Sequence, residues 1–337
     1  MHILVTGATG RIGARLTHAL VREGHTVRAL ASADHPRAHL IAGPQVEFAP
    51  GRLEDAEAIY AAVKGVDAVY HLAAGLGSRG ANEEQIFDLG LRGTFNMLRA
   101  VRDVAPNCRR FAYASSDAVH WQDLTTGACY LPIDEAHPRL AGSVYGAVKI
   151  GCEELCLQFM RSYGIPVTIL RFGATTEPPE LVDLTSRFAH WIHLQSAIRF
   201  YGRLGQPTGA QAETLRILRE LDDGADNLLI EAEMDGTTEV RQWGDARDVA
   251  EGCVLALENP AAVGETFLLG GVAPFRTNEL IAYMADGLNR PYVIAKLPTS
   301  RRPWYISSAK ARGILGYQPR HSIFDMVDEA IAGMASA

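Results

Sequence analysis

The sequence has few of the features that mark membrane, nucleic-acid-binding or repeat proteins. No apolar run is long enough to span a bilayer, and we find no internal repeat and no low-complexity segment. Asp and Glu (39) outnumber Lys and Arg (32), the formal net charge is -7, and no five like charges follow one another. We therefore expect a protein with a small-molecule substrate and without a nucleic-acid or membrane partner.

Cysteine is also scarce, and its positions exclude the common metal motifs. The five cysteines are an odd number without metal-ligand spacing, and Cys152 and Cys156 are expected to pack in a core. His190 and His193 lie at helical spacing, but no carboxylate or cysteine joins them, so the sequence predicts no metal site. This cysteine usage fits a reducing compartment. No signal peptide precedes the first apolar segment, so we expect a cytoplasmic protein.

What the sequence does contain begins with a glycine motif. The whole chain has 337 residues, of which 47% are hydrophobic. That is enough for one large α/β domain with an appended lobe, or for two domains. The first apolar run, 3–6, leads directly into Gly7-x-x-Gly10-x-x-Gly13. This order is typical of a dinucleotide-binding unit, because glycine lets the backbone turn tightly and approach a pyrophosphate, which the next helix faces with its N–H groups. We predict cofactor contacts from Gly7, Thr9, Gly10, Arg11 and Ile12.

The end of the second predicted strand, 26–30, bears on the choice of cofactor. Dinucleotide-binding units often carry an acidic residue there for the adenosine ribose. Ala31 and Ser32 occupy that place, so we expect them to border the cofactor, and the sequence leaves NAD and NADP open. Arg28 and Arg37 are candidates for a 2′-phosphate, although solvated arginines are the commoner case. NAD is slightly favoured, because no arginine follows the strand directly.

A later strand and helix carry the strongest chemical signal. The predicted strand 110–116 ends in two serines, and Tyr145 and Lys149 follow on one face of a predicted helix. A lysine ammonium close to a tyrosine lowers the tyrosine pKa from its ordinary value of about 10. The tyrosine can then exchange a proton with a substrate hydroxyl that a serine holds. We predict Ser116, Tyr145 and Lys149 as the catalytic residues.

Together these motifs resemble the extended short-chain dehydrogenases/reductases, of the NAD-dependent epimerase/dehydratase type. The resemblance rests on Thr6 with its three glycines, on the segment 115–121 and on the Tyr145 and Lys149 pair. It implies that Ser116 is the catalytic serine, that Lys149 also bonds the nicotinamide ribose, and that the protein is a homodimer.

The resemblance also implies contacts at other strand ends. For the cofactor these are Arg52, Leu53, Leu72, Ala73, Ala74, Tyr145, Lys149 and Phe172, with Arg52 standing where the family often has aspartate. For the substrate they are Ser115, Ser116, Asp117 and Arg241. Sugar-nucleotide enzymes place an arginine on the diphosphate at the position of Arg241, and a salt bridge to Glu239 or Asp248 is the alternative. Asp248 is expected to cap a helix.

Two departures from the family pattern concern the substrate. Gly173 replaces an asparagine that usually helps hold a nucleotide sugar, and no glutamate follows Asp117, as it usually does in dehydratases. Residues 177–238 resemble the family least. Trp191 and its aromatic neighbours there are candidates for lining a substrate pocket, with packing of a helical cap as the alternative.

We therefore expect an α/β fold, a doubly wound parallel Rossmann sheet with a smaller C-terminal α/β substrate lobe. Residues 1–172 should form the dinucleotide-binding domain, with about 239–272 returning to it, and 173–337 mainly the lobe. The expected function is NAD(P)-dependent hydride transfer at a secondary hydroxyl or ketone of a sugar or nucleotide sugar, as in an epimerase. The alternatives are a simple dehydrogenase or reductase of a small ketone, lactone or sugar acid, and a non-catalytic sensor that binds the dinucleotide.

Overall fold

Strands and helices alternate along the chain. The computed structural model describes residues 1–73, 82–121, 127–298 and 302–335. In these ranges the strands are β1 His2–Thr6, β2 Thr26–Leu30, β3 Val46–Ala49, β4 Ala68–His71, β5 Arg110–Ser116, β6 Val167–Phe172, β7 Thr175–Thr176, β8 Leu228–Ala232, β9 Val240–Arg241, β10 Gly244–Asp245, β11 Thr266–Leu269, β12 Phe275–Arg276 and β13 Tyr292–Lys296. The α-helices are α1 Arg11–Arg22, α2 Ala56–Val63, α3 Glu83–Phe87, α4 Gly93–Val104, α5 Val144–Tyr163, α6 Pro178–Val182, α7 Leu194–Gly202, α8 Gly209–Glu220, α9 Ala246–Glu258, α10 Thr277–Leu288, α11 Ala309–Leu315 and α12 Ile323–Ala335.

Seven of the strands form one parallel sheet in the order β3-β2-β1-β4-β5-β6-β11. Ile3 of β1 lies opposite Val27 of β2 on one side and Ala68 of β4 on the other. The strand order reverses between β1 and β4, and open sheets of this kind bind ligands outside the carboxyl ends of the strands at that point. The predicted doubly wound parallel sheet is confirmed.

Apolar strands explain why helices cover both faces of this sheet. Ile3, Leu4 and Val5 are fully buried, and successive side chains of a strand point to opposite faces. Ile3 and Val5 pack in one cluster with α1, α9 and α11. Leu4 packs in a second cluster with α2, α4 and α5.

A smaller unit, which we call the lobe, consists of α6, α7, α8, α10 and α12 around the parallel pair of β8 and β13. Phe188, Leu228, Trp243 and Met326 belong to its apolar core. Other C-terminal elements lie on the large sheet, since β11 pairs with β6 and α9 packs against α1. The C-terminal part of the chain is thus divided between the lobe and the large sheet.

Some local expectations differ from the structure. The apolar run 66–74 predicts a longer fourth strand than the observed β4, which ends at His71. The predicted capping by Asp248 is wrong: Asp245 caps α9, and Asp248 accepts the backbone N–H groups of Arg320 and His321, both at 3.0 Å. The sequence predicts a loop at Gly75 to Gly80, and this segment lies outside the described residues. In the part of the chain that is described, no helix combines the length and apolarity that crossing a membrane requires.

Candidate active site

The glycine turn between β1 and α1 has the shape that a diphosphate requires. Gly7 has φ of +70°, and the Gly10 N–H donates to the Gly7 carbonyl at 2.9 Å. A Cβ on Gly13 would lie 2.1 Å from that carbonyl oxygen, so only glycine lets α1 start this close to β1. Helix α1 has no side-chain cap and no acidic residue in its first turn, which leaves its first N–H groups for an anion. These residues fit a dinucleotide.

Most of the other predicted cofactor contacts lie along the same edge of the sheet. Each of these residues lies at or just after the carboxyl end of a strand. They are Ala31 and Ser32 after β2, Arg52 and Leu53 after β3, Leu72 and Ala73 after β4, and Phe172 at the end of β6. The turns after β1 and β4 meet closely, since the Ala73 N–H donates to Thr6 Oγ1 at 3.1 Å and a Cβ on Gly7 would lie 3.0 Å from the Ala73 nitrogen. Ala74 lies outside the described residues.

Three side chains near the adenosine end already have protein partners. Arg52 is largely exposed and pairs with Glu54 at 3.2 Å. Leu53 is buried in the core. Arg28 donates to Glu47 at 3.1 Å and to two backbone carbonyls. The Arg28 guanidinium is thus occupied by structural bonds and is a poor candidate for a 2′-phosphate.

Two ion pairs join α1 to the lobe. The Arg11 guanidinium donates two hydrogen bonds to the Glu180 carboxylate on α6. One turn later on α1, Arg15 Nε donates to Glu177 at 2.7 Å. The glycine turn and the first helix of the lobe are therefore held side by side.

The three predicted catalytic residues come together at the end of β5. Ser116 is the last residue of β5, and α5 presents Tyr145 in its first turn and Lys149 one turn later. Lys149 Nζ lies 5.8 Å from the Tyr145 ring centroid and 4.7 Å from that of Tyr113. The ammonium donates to the carbonyl of Ala114, in the strand that carries the serine.

Removal from water controls the charges of this group. Burial raises the pKa of Tyr145, while hydrogen bonding with Ser116 and the positive charge of Arg187 oppose that rise. Burial lowers the pKa of Lys149 to about 8, so at neutral pH the side chain is still mainly an ammonium. The lowered tyrosine pKa expected from the sequence is not found in the protein alone, because the loss of water around the phenol outweighs nearby positive charge.

Asp117 adds a carboxylate beside the serine. It accepts the Ser116 hydroxyl at 3.2 Å and the Trp304 Nε1–H at 2.8 Å. Burial raises the pKa of Asp117, and the bond from Trp304 is the largest effect opposing it. Sequence reasoning missed Trp304, because nothing in the sequence connects a tryptophan near the C-terminus with the end of β5.

Ser115, the residue before Ser116, is also predicted to contact the substrate. In the structure its side chain belongs to a buried network of charged groups. Its hydroxyl donates to Glu153 on α5 at 2.5 Å. Arg171 on β6 donates to the same carboxylate through Nε at 2.8 Å and Nη2 at 2.7 Å. This network links β5, β6 and α5, and so fixes the strand of Ser116 relative to the helix of Tyr145.

Comparison with known proteins identifies the family of this chain. Residues 3–270 match the NAD dependent epimerase/dehydratase family. The chain belongs to this family. A solved short-chain dehydrogenase/reductase superfamily protein from Agrobacterium tumefaciens with bound NAD is 30% identical, with a TM-score of 0.88 and coverage of 100% of this chain and 98% of that one.

Two curated relatives have different printed activities. The UDP-glucose 4-epimerase of Lactobacillus helveticus is 25% identical over 98% of this chain and 95% of that protein. The 4-hydroxy-2-methyl-3-oxo-4-farnesyl-3,4-dihydroquinoline-1-oxide ketoreductase of Stigmatella aurantiaca is 32% identical. That match covers 57% of this chain, which spans only 58% of the ketoreductase's length. This chain is therefore similar to proteins with epimerase names and to proteins with reductase names.

Two positions that the sequence resemblance connects with the substrate, Arg241 and Gly173, have protein neighbours in the structure. Arg241 donates to Glu239 at 2.7 Å, both side chains are only 10% exposed, and its guanidinium carbon lies 4.4 Å from the Trp191 ring centroid. The salt-bridge alternative for Arg241 is thus observed. At Gly173, where sugar-nucleotide members carry asparagine, a Cβ would lie 3.0 Å from the Ile306 side chain.

The two histidines in the lobe serve packing. The His190 ring stacks on Phe200 with centroids 4.2 Å apart, and the buried His193 Nε2 lies 3.3 Å from the Leu181 carbonyl oxygen. Among the residues described, no three His, Cys, Asp or Glu side chains gather in a way that could hold a metal ion.

Proposed function

We propose that this protein binds NAD and transfers a hydride at a secondary hydroxyl or ketone of a sugar-type substrate, with Tyr145 as acid and base. The observation that carries the proposal is the meeting of Ser116, Tyr145 and Lys149 at the carboxyl edge of the sheet that also holds the glycine turn. NAD is favoured over NADP because no arginine directly follows β2 and Arg28 is already bonded.

We assign the cofactor contacts by their place along that edge. The turn formed by Gly7, Thr9, Gly10, Arg11 and Ile12 would hold the diphosphate. Ala31, Ser32, Arg52 and Leu53 would border the adenosine, Leu72, Ala73 and Phe172 would border the nicotinamide side, and Lys149 would bond the nicotinamide ribose. The nicotinamide ring supplies the hydride acceptor or donor when the cofactor is bound.

In the oxidising direction, the Ser116 hydroxyl would bond the substrate oxygen. Tyr145 would take the substrate proton as a phenolate, once the positive charge of a bound oxidised cofactor, added to that of Lys149, offsets the effect of burial on the tyrosine pKa. The C–H bond of the same carbon breaks, its electron pair leaves with the hydrogen, and a ketone forms. The Lys149 ammonium stabilises the phenolate. Asp117, anchored by Trp304, accepts the Ser116 hydroxyl when no substrate is bound and so keeps the serine in the site.

Two substrate classes fit this chemistry. With a nucleotide sugar the hydride would return and leave no net redox change, which the relationship to a UDP-glucose 4-epimerase supports. With a small sugar acid or ketone the reaction would be a net oxidation or reduction. We favour the second class, because a diphosphate at Arg241 would have to compete with the carboxylate of Glu239.

A homodimer formed through α4 and α5 is also proposed. Phe95 on α4 is 40% exposed and Tyr163 on α5 is 53% exposed, which leaves apolar surface on adjacent helices for a second copy. Sedimentation velocity gives the test, and a single monomeric species at micromolar concentration would refute the dimer.

The test of the enzyme proposal is Tyr145→Phe, with Tyr163→Phe on the same helix as the matched control. Loss of the acid and base should lower kcat roughly 10²- to 10⁴-fold, while NAD binding measured by calorimetry persists. Tyr163→Phe should leave both unchanged, because the side chain lies at the far, exposed end of α5. Full turnover in Tyr145→Phe would refute the assignment of Tyr145 as acid and base. If neither the unaltered protein nor Tyr145→Phe shows turnover and both keep the same biological function, the alternative of a non-catalytic sensor that binds the dinucleotide would be favoured.

A further inference from the structure

Arg187 is a cation that the sequence motifs did not identify and that the assigned chemistry does not use. It lies just before Phe188, a fully buried anchor of the lobe core that packs against Trp243 with ring centroids 4.9 Å apart. The Arg187 guanidinium carbon is 5.3 Å from the Phe188 ring centroid, and that of Arg11 from the glycine turn is 5.7 Å from the same ring. Arg187 therefore stands where the lobe meets the cofactor turn.

The charge of Arg187 reaches the catalytic group. It opposes the rise in pKa that burial causes at both Tyr145 and Asp117. Arg187 and Arg11 also repel one another, and Glu180 attracts Arg187. The Arg187 side chain therefore lies on the lobe side of the glycine turn, near enough to Tyr145 and Asp117 for its charge to act on both.

The neighbouring cations Arg11, Arg15 and Arg241 have carboxylate partners, whereas none of the described residues pairs with Arg187. Arg11 is bonded to Glu180, Arg15 to Glu177 and Arg241 to Glu239. Arg187 is exposed and makes no hydrogen bond or ion pair with any residue in the described ranges. A guanidinium left open beside a catalytic tyrosine fits an anionic group on the substrate.

We propose, on the basis of the hydride-transfer function above, that Arg187 binds the carboxylate of a small polyhydroxy acid whose secondary hydroxyl is oxidised at Ser116 and Tyr145. One open guanidinium matches one carboxylate, with two parallel N–H···O bonds. A diphosphate brings more negative charge, and the Asp117 carboxylate beside Ser116 disfavours a second anion while offering an acceptor for a further hydroxyl. In the reaction the C–H electron pair passes to the nicotinamide, the hydroxyl proton passes to Tyr145, and the carboxylate is unchanged.

The experiment follows nicotinamide reduction with NAD and a panel of short aldonates and hexuronates, each beside its neutral amide, together with sugar phosphates and UDP-sugars. Arg187→Gln should lower kcat/KM for the preferred acid about 10- to 100-fold, mainly through KM. The weaker turnover of the amide should fall much less, and only because positive charge near Tyr145 is lost. Arg187→Lys should recover part of the loss. Arg219→Gln is the control, because it removes another exposed arginine of the lobe, on α8. It should change kcat/KM for neither the acid nor the amide.

The outcomes separate this proposal from the function on which it rests. Equal losses for acid and amide in Arg187→Gln, or a loss no larger than in Arg219→Gln, would overturn the carboxylate site. Tyr145-dependent turnover of UDP-sugars or sugar phosphates in preference to every acid would also overturn it, with hydride transfer intact. Turnover of an acid that survives Tyr145→Phe would instead refute the proposed function.

Discussion

The buried carboxylate of Glu153 should control the stability of the sheet edge that holds the serine. Its side chain is 1% exposed and its partner Arg171 is 6% exposed, with Nη2 2.7 Å from the carboxylate. Glu153→Gln removes the charge and leaves the Arg171 guanidinium buried without an anion. Removing one partner of a buried pair costs about 3–5 kcal/mol, so we expect a loss of that size in the free energy of unfolding, measured by urea titration.

The neighbouring residue provides a matched control. Glu154 also pairs with an arginine, Arg139, at 2.7 Å, but its side chain is 49% exposed. Exposed pairs contribute about 0–1 kcal/mol, so Glu154→Gln should shift the unfolding transition slightly. The double variant Glu153→Met with Arg171→Met should regain part of the loss, because it leaves no buried charge. If Glu153→Gln costs no more than Glu154→Gln, the network is not what fixes β5 against α5.

Two further predictions concern the glycine turn and a buried histidine. Gly13→Ala places a Cβ 2.1 Å from the Gly7 carbonyl oxygen, so calorimetry should show weaker NAD binding and a lower Tm, whereas Gly209→Ala, with nothing within 4 Å, should show neither. Burial lowers the pKa of His71 from 6.5 to about 3, so the folded protein keeps the ring neutral while the unfolded chain protonates it. The unfolding free energy should therefore fall by about 2 kcal/mol from this group between pH 7 and pH 5, and an unchanged pH slope in His71→Gln would contradict this.

The sheet could be predicted from the sequence because its strands are short apolar runs, most of them separated from the next by a segment with helical spacing. Ile3, Leu4 and Val5 are buried on both faces, and continuous apolar runs alternating with helices are typical of parallel sheets. The ends of elements were less predictable. Asp245 and Asp248 both stand at the start of α9, and only the packing of the segment around Arg320 decides which one caps it.

The catalytic part of the site was predictable for a related reason. Ser116, Tyr145 and Lys149 belong to local motifs, and a helical turn alone places Tyr145 and Lys149 on one face. Arg187 and Trp304 are not part of any local motif. They reach the site through tertiary packing, Arg187 through the burial of Phe188 and Trp304 through its bond to Asp117, so sequence spacing carries no signal for them.

The separation of the apolar cores has a consequence for how this protein can evolve. Among the described residues, the lobe core around Phe188, Leu228 and Trp243 shares no side chain with the two clusters that pack on the large sheet. A lobe mutation can therefore accumulate without loosening the strands that carry Ser116 and the glycine turn. Lineages descended from such a protein can acquire new substrates by exchanging residues around Arg187, while the inherited hydride chemistry continues unchanged.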